Sequence, residues 1–443
     1  MVSPHFPPDS SAATHRVRLL LPHLAALGWE PTVLTLTPES YEGVLEPALE
    51  ALVPAGVRVE RVEAWPAAIT RLVGFGDLGL RGWVALRRAA RRLLAASRYD
   101  VLFWTVYPTW PATSGPALAR AAQTAFVLDL QDPWVGAWGD TVGPARRGHA
   151  DVRSRLSRSL SLPAERAAVR GADGVTAVSA GTIDALAARV RAVRDRPHAE
   201  VPLVALDADM AWAEAGPPLR PELRFDDAQV HVLWVGTLLP AGFGVLRAIF
   251  ESLAEAVRRD ALVRARVRVH LVGTSNESRP SAPGVALGVA RAAGVEALVS
   301  EHAPRVGYRE ALQLLAAADA VLLGGSTEAH YTPSRLYPAL LSGAPLIAVY
   351  RAGSHPMSVL RALPPEPRVF LASFDAGGPD HVTREALVAA WRAIATMPRR
   401  AREVGPAAGP RDARTAPLAR TAAAALVSVM ERAIAHAAAR RSA

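Results

Sequence analysis

The sequence predicts an α/β protein of two Rossmann-like, doubly wound domains with a ligand cleft between them. Three observations carry the prediction. Apolar runs of strand length alternate with helix-patterned segments through most of the chain, the rhythm of a parallel sheet covered by helices on both faces. The rhythm stops once, over the polar, proline-containing residues 207–227, and then restarts. A length of 443 residues with 50% hydrophobic content supplies two substantial cores.

In the first half, residues 16–27 read as a helix stopped by Gly28, and 31–36 as the strand after it. Residues 100–105 (DVLFWT), 125–130 and 174–179 (GVTAVS) read as buried strands. Residues 112–122 are helical in pattern, and Gly181 opens a helix carrying 183–190. In the second half, 231–235 (HVLWV) ends at Gly236 and precedes a helix over 244–258. The strand 267–272 ends at Gly273, and 320–323 and 345–350 are further strands with 334–341 helical between them. From 382 onward the pattern is helical, with a Pro/Gly break over 405–417. The expected organisation is a first domain over 1–206, a linker over 207–228, a second domain over 229–400 and a helical extension over 401–443. Sheets of this kind bind ligands at the carboxyl ends of their strands, so two of them direct a site to the gap between.

Composition narrows the function. The formal charge is +9, and every basic residue is an arginine. With the abundance of Ala, Gly and Pro, this suggests a GC-rich coding bias as much as a function. A nucleic-acid surface calls for basic clusters interleaved with exposed aromatics or a known motif, and neither is found, so nucleic acid is not an expected partner. A phosphate-bearing substrate or an anionic membrane fits the charge equally well. The absence of cysteine excludes disulfides, thiolate metal sites and a cysteine nucleophile. No run of about 20 residues is uniformly apolar. The start, Met1-Val2-Ser3-Pro4-His5, lacks the basic and apolar regions of a signal peptide. Cytoplasmic residence is the expectation, with peripheral contact at the inner face of a membrane kept open.

The most informative segment is 332–348 (TPSRLYPALLSGAPLIA). It reads as a loop, a helix start at a serine, a glycine stop and a buried strand. A helix N-terminus with unpaired N–H groups suits a phosphate. Arg335 falls in the expected first turn, where a cation opposes the helix dipole. Contact with an anion and a solvated surface arginine both fit that spacing. Asp132 follows a strand end and would orient or deprotonate a hydroxyl, or cap the turn before Pro133. Trp134 and Trp138 would stack on a sugar ring or lipid tail, or fill a core or rim. Residues 81–98 (RGWVALRRAARRLLAASR) form a basic amphipathic helix pattern, suited to packing on its own domain or to docking on anionic lipid. His302, His330 and His355 are scattered, and no clustered His/Asp/Glu pattern marks a metal site.

These segments together resemble the GT-B glycosyltransferases similar to family 4, in particular a branch with a PSKLYEYLASGRPILA-like donor motif. Ser334-Arg335-Leu336-Tyr337 and Gly343-Ala344-Pro345-Leu346-Ile347-Ala348 match that motif. Ser3-Pro4-His5-Phe6-Pro7-Pro8-Asp9, Arg16 and residues 24–35 are similar to the family's opening. Asp129-Leu130-Gln131-Asp132-Pro133-Trp134 resembles its DFRDPW, and Glu165 with residues 172–179 its E…ADxVxxVS. The resemblance implies a C-terminal domain that holds a UDP- or GDP-sugar and an N-terminal domain that receives the acceptor, without a cofactor or a metal. It implies transfer with retention to a hydroxyl of a glycan, a lipid-linked sugar or a small molecule. Arg335 would then neutralise the departing diphosphate. Gly236, Thr237 and Leu238 would form the phosphate loop, and Gly273, Arg305 and Val306 would lie near the base. Glu328, Ser334 and Leu336 complete the donor set, and Asp132 serves the acceptor. Ser11, Thr14 and Arg16 replace the relatives' glycine-rich first loop and would face the donor phosphates, or simply cap a helix.

The chain departs from the family pattern in places. Two glutamates expected eight residues apart are His330 and Pro338 here, with Glu328 displaced from the first. Gln131 stands where an acceptor-side histidine is expected, and the first strand is nearly missing. Two alternatives therefore stay open: a catalytically degenerate GT-B protein that binds nucleotide or a partner, and a nucleotide-sugar epimerase.

Overall fold

A computed structural model describes residues 1–72, 77–135, 147–219, 228–275, 277, 284–328, 330–363, 369–398 and 412–442; for 147–158 and 412–417 only the backbone is described. The chain forms two compact units, Met1–Leu203 with Leu418–Ala443, and Val204–Pro417.

The first unit holds strands β1 (Thr32–Leu36), β2 (Arg58–Val62), β3 (Val101–Val106), β4 (Ala125–Leu130), β5 (Gly174–Ala177) and β6 (His198–Glu200). β1 pairs with β2, and β3 to β6 pair in sequence, all in parallel. The chain start joins the two sets. Val2 bridges Leu34 on one side and Trp104 on the other, both in parallel. Its N–H donates to Phe103 O at 2.8 Å, and Leu34 N–H donates to Met1 O at 2.8 Å. Three residues thus supply the inner strand that the sequence makes look absent. The layer runs β2, β1, residues 1–3, β3, β4, β5, β6, and its winding reverses between the chain start and β3.

The helices of this unit are α1 (His15–Arg18), α2 (Leu21–Ala26), α3 (Ala67–Leu72), α4 (Leu78–Ala96), α5 (Gly115–Ala122), α6 (Arg147–Arg170) and α7 (Ala180–Arg189). The single helix expected over 16–27 is two. Pro22 has no N–H and crowds the carbonyl four residues back, so α1 stops at Arg18. α4 is the basic amphipathic helix, capped by Asp77, whose carboxylate accepts from Leu80 N–H at 3.1 Å. Its Leu86, Ala89 and Ala90 are buried, while Arg87, Arg88, Arg91 and Arg92 are exposed.

The second unit holds α8 (Asp207–Glu214), β7 (Val230–Val235), α9 (Phe243–Arg259), α10 (Ala261–Arg266), β8 (Val267–Val272), α11 (Ala286–Ala292), β9 (Val299–His302) and α12 (Tyr308–Ala317). β10 (Ala320–Gly324), α13 (Leu336–Ser342), β11 (Leu346–Arg351), α14 (His355–Arg361), β12 (Val369–Phe374) and α15 (His381–Thr396) follow. One six-stranded parallel sheet runs β12-β11-β10-β7-β8-β9, reversing between β7 and β10. β7 and β10 are buried throughout, as strands covered on both faces must be.

Two boundaries differ from expectation. The stretch read as a linker over 207–228 begins with α8, which packs on α12: Tyr308 O–H donates to Asp209 at 2.7 Å, and Gln313 Nε2 donates to Ala213 O at 2.8 Å. Burial of Met210 and Ala213 makes this segment part of the second unit; residues 220–227 lie outside the described ones. The final helix, α16 (Asp412–Ser442), joins the first unit. Leu418–Ser442 is long and apolar enough to cross a membrane by composition alone. Here Leu426, Val429, Met430, Ala433 and Ala437 are buried at helical spacing, and His436 and Arg440 meet the buried Asp173 at 3.0 and 3.2 Å. A helix with that interior face and those ion pairs completes a core.

Candidate functional site

In the second unit, chemistry gathers at the carboxyl ends of β7 and β10, beside the reversal of the sheet, the place such folds reserve for ligands. β7 ends at Gly236, whose φ of +120° disfavours side chains. A Cβ there would lie 2.9 Å from Arg335 Nη1. Gly273, with φ +71°, ends β8, and a Cβ on it would lie 3.8 Å from both Gly236 N and Val306 N. Gly236, Gly273, Val306 and Arg335 therefore converge, although 99 residues separate the first from the last in sequence (335 − 236).

Arg335 is held by three features. Its Nη2 donates to Gly324 O at 3.1 Å, and its guanidinium carbon lies 4.0 Å from the Trp234 ring centroid, a cation–π contact. Trp234 is itself fixed by Nε1 donating to Gly236 O at 2.8 Å. Arg335 Nε is buried with no hydrogen-bond partner among the described residues. An arginine positioned by an aromatic face and a carbonyl, with a buried N–H left over, is prepared for an acceptor of oxygen type.

The helix start contributes less than the sequence suggests. α13 begins at Leu336, so Arg335 stands at its N-cap and not in its first turn; Ser334 is exposed and makes no cap bond. Leu336 N–H is engaged by Pro333 O at 3.2 Å, and Pro338 has no N–H to offer. The guanidinium, rather than the helix dipole, is the source of positive potential.

Leu238 and Leu336 are 7% and 0% exposed and belong to the interior. Little of either side chain is open to a ligand. Thr237 and Arg305 are half-buried, and Arg305 N–H donates to Glu277 O at 2.8 Å. Glu328 is half-buried and accepts from Ser326 O–H at 3.1 Å. Two residues that sequence reasoning passed over lie on β11 and just past it. The hydroxyls of Tyr350 and Ser354 are both buried and without partners among the described residues. Burial pushes the Tyr350 phenol far up, and the Arg335 charge pulls it back. His355 bonds Tyr337 O–H through Nε2 at 2.8 Å. His302 and His330 join no metal-ligating cluster among the described residues.

In the first unit, the residues expected to face phosphate are committed elsewhere. Arg16 is 1% exposed. Its Nε and Nη2 donate to Asp129 at 2.8 and 2.6 Å, and its Nη1 donates to Val201 O. Every guanidinium nitrogen therefore has a protein acceptor, and the side chain is an internal tie. Thr14 O–H donates to Asp9 at 2.9 Å, and Ser11 O–H donates to the same carboxylate. An anion already sits where the phosphate was expected.

That anion belongs to a small cluster. His5 Nδ1 donates to Asp9 Oδ2 at 2.7 Å. The His5 ring stacks on Tyr41 at 5.8 Å and meets Tyr107 at 5.5 Å. Burial raises Asp9, but the hydrogen bonds and charge of His5, with Ser11 and Thr14, hold it below the usual carboxylate range. Burial pushes the Tyr41 phenol up to about 12. Past the end of β4, Asp132 is exposed. Its neighbours Gln131 and Trp134 are 9% and 6% exposed, and Gln131 Nε2 and Trp134 Nε1 are buried donors without partners among the described residues. Trp134 is thus a core residue with one open N–H; Trp138 lies outside the described residues.

Comparison with known proteins gives the same picture. A family model described as "Glycosyl transferase 4-like domain" matches residues 11–204. No curated protein matches the sequence. Among solved structures, HepE of Anabaena in complex with UDP-glucose superposes with a TM-score of 0.51 at 16% identity, over 95% of this chain and 98% of that one. The N-terminal domain of Candida albicans trehalose-6-phosphate phosphatase gives 0.55 at 11% identity, over 97% and 98%. The E. coli trehalose-6-phosphate protein bound with UDP-2-fluoro glucose gives 0.51 at 11% identity, over 98% and 96%. At these identities the likeness is one of fold, and the fold is GT-B: two Rossmann-like units in one chain.

Proposed function

We propose, from the GT-B fold and the glycosyl transferase 4-like domain at residues 11–204, that this protein moves a sugar from a nucleoside-diphosphate sugar to an acceptor hydroxyl. One observation carries the reading: Arg335 is fixed over Trp234 beside the open backbone of Gly236, with a buried Nε that lacks an acceptor among the described residues. A diphosphate oxygen supplies that acceptor. As the bond from the anomeric carbon to the diphosphate breaks, charge grows on the leaving oxygen, and the guanidinium is already in place to stabilise it. Gly236 and Gly273 let the backbone approach the phosphates, and Thr237, Val306, Arg305 and Glu328 surround the nucleotide. Because HepE is described with UDP-glucose, a uridine donor is the first to try and a guanosine donor the second. The acceptor class is a glycan, a lipid-linked sugar or a small molecule, with Asp132 orienting its hydroxyl.

The test is Arg335→Ala. Transfer should fall by about 100- to 1000-fold, as on removal of one charge-stabilising donor, and UDP affinity by calorimetry should fall with it while thermal stability holds. Full turnover in that variant removes the reading. A wild-type chain that binds UDP yet transfers no sugar from any donor in a panel indicates the binding module instead. Activity unchanged by EDTA supports a metal-free reaction.

A peripheral membrane partner also fits this reading. Trp65, Ile69 and Leu72 are 57%, 63% and 86% exposed on and beside α3. Trp65 N–H donates to Arg81 O, and Arg81 Nη1 donates to Trp65 O, which fastens this apolar segment to the start of α4. Arg88 lies two turns further along the same side of α4, with Arg87, Arg91 and Arg92 around it, all exposed. Apolar anchors followed by arginines suit an anionic bilayer surface.

A further inference from the structure

Within the second unit, the end of β11 holds hydroxyls that the fold leaves without acceptors. Ile347 and Val349 share one core with Ile249 of α9 and Trp391 of α15. Strand alternation turns Tyr350 to the opposite face. Its ring lies on the backbone just past β10, where a Cβ on Gly325 would fall 2.7 Å from Tyr350 Cδ1. One residue earlier, Gly324 O accepts from Arg335 Nη2 at 3.1 Å. Arg335 Nη1 in turn lies 2.9 Å from where a Cβ on Gly236 would stand. β7, β10 and β11 are neighbours in the sheet, so Gly236, Arg335 and Tyr350 line three adjacent strand ends.

Tyr350 is 1% exposed, and its hydroxyl has no partner among the described residues. Elsewhere in this unit buried hydroxyls find acceptors. Ser252 donates to Ile249 O and Ser342 to Ala339 O, each at 2.7 Å, and Thr383 donates to Ser373 O at 2.8 Å. The shortfall is therefore local, and Ser354, 4% exposed, shares it. Ser354 N–H donates to Arg351 O at 3.2 Å across Gly353, whose φ is +75°, so a turn keeps the serine beside the strand end. Ser354 heads α14 yet makes no side-chain cap bond. The charged and titratable groups that act on the Tyr350 phenol are Arg335 and Tyr331, and no carboxylate is among them. Burial keeps the phenol protonated, so it stands as a hydrogen-bond donor. A covered donor without an acceptor costs stability, and Arg335 Nε carries the same deficit among the described residues. One oxygen-rich anion removes both.

We propose that Tyr350 binds the nucleotide sugar: its O–H donates to a phosphate oxygen beside the Arg335 guanidinium. This rests on the sugar-transfer reading. The hydroxyl adds a charge-assisted hydrogen bond to the diphosphate without adding a second cation.

The test uses the full chain and Tyr350→Phe, which removes the oxygen and keeps the ring. UDP affinity by calorimetry should fall by about 10- to 100-fold, the worth of a hydrogen bond to a charged group. The thermal midpoint of the unliganded variant should match or exceed that of the wild type, because a buried unpaired hydroxyl is gone. Uridine, followed by saturation-transfer NMR, should bind both proteins alike, since it carries no phosphate. The same measurements apply with GDP and guanosine where GDP is the tighter ligand. Diphosphate affinity within about twofold of wild type, or an equal loss for nucleoside and diphosphate, overturns the assignment and leaves sugar transfer intact. So does a lowered thermal midpoint, which would show that the hydroxyl has an acceptor inside the fold. A wild-type chain that binds neither UDP nor GDP overturns the sugar-transfer reading and this assignment with it.

Discussion

Replacement of Arg16 by methionine separates an internal tie from a phosphate ligand. In the folded chain Arg16 donates twice to Asp129 and once to Val201 O. Asp129 is fully buried, and among the described residues the one other donor to it is Thr176 O–H at 2.7 Å. Arg16→Met therefore leaves a buried carboxylate with a single hydroxyl and strands the Val201 carbonyl. Breaking a buried pair by removing one partner costs about 3–5 kcal/mol. In a unit of this size each kcal/mol moves the midpoint by about 2–4 °C, so the first unit should melt about 6–20 °C lower. Scanning calorimetry reads this, and isothermal calorimetry with UDP at a temperature where the variant is folded should give the wild-type affinity. The double replacement Arg16→Met with Asp129→Leu should recover part of the loss, since no charge is then left unpaired. A variant that melts with the wild type but has lost UDP would show that the ion pair is incidental and that Arg16 reaches the donor.

Two further outcomes follow from the charges. His231 and His270 stack at 5.1 Å on adjacent strands, and burial with the neighbouring His231 and Arg268 lowers His270 from 6.5 to about 4. The unfolded chain therefore binds a proton at this site between pH 6.5 and about 4 that the folded chain refuses. Stability is fully present above pH 6.5 and declines by up to about 1.4 kcal/mol per unit as pH falls through that window. His270→Gln should flatten the urea-unfolding profile there, and an unchanged slope refutes the assignment. On α4, Arg87→Glu, Arg88→Glu, Arg91→Glu and Arg92→Glu together should abolish co-sedimentation with phosphatidylglycerol vesicles, each arginine contributing about 1 kcal/mol. Wild-type binding to neutral vesicles, or full binding by the variant, refutes a basic docking face.

The strands were legible because buried parallel strands are short apolar runs with turn residues at their ends. β4 and β8 fall on the expected residues, and Gly236 and Gly273 mark two strand ends through their backbone conformation. Periodicity was less reliable where one residue governs. Pro22 divides a helix that hydrophobic spacing alone would continue, and α13 begins two residues later than a serine start implies. α8 looked like a linker because it opens a polar, proline-containing stretch; its helix is decided by α12, about a hundred residues away. At the strand ends of the second sheet, Arg335 was readable from a local motif and Gly236 and Gly273 from the strands they close. The alternative roles of Ser11, Thr14 and Arg16 were not, because their partners are acids whose pairing depends on the fold. Asp129 lies 113 residues from Arg16, and nothing in either segment names the other.

The same topology accounts for what each unit offers. At the reversal of the second sheet, the strand ends present an arginine with no carboxylate partner among the described residues and a donor in excess. At the reversal of the first, they present a carboxylate saturated with donors and, through it, an imidazole with an acceptor in excess. Had Ser11, Thr14 and Arg16 formed a phosphate cradle, the first unit too would have presented positive potential at its reversal. Asp9 decides between these arrangements, because a buried anion at the chain start repels phosphate and polarises histidine at once. Asp9→Asn should therefore leave UDP affinity no weaker than in the wild type, and a marked loss of UDP binding in that variant would show that the chain start faces the phosphates.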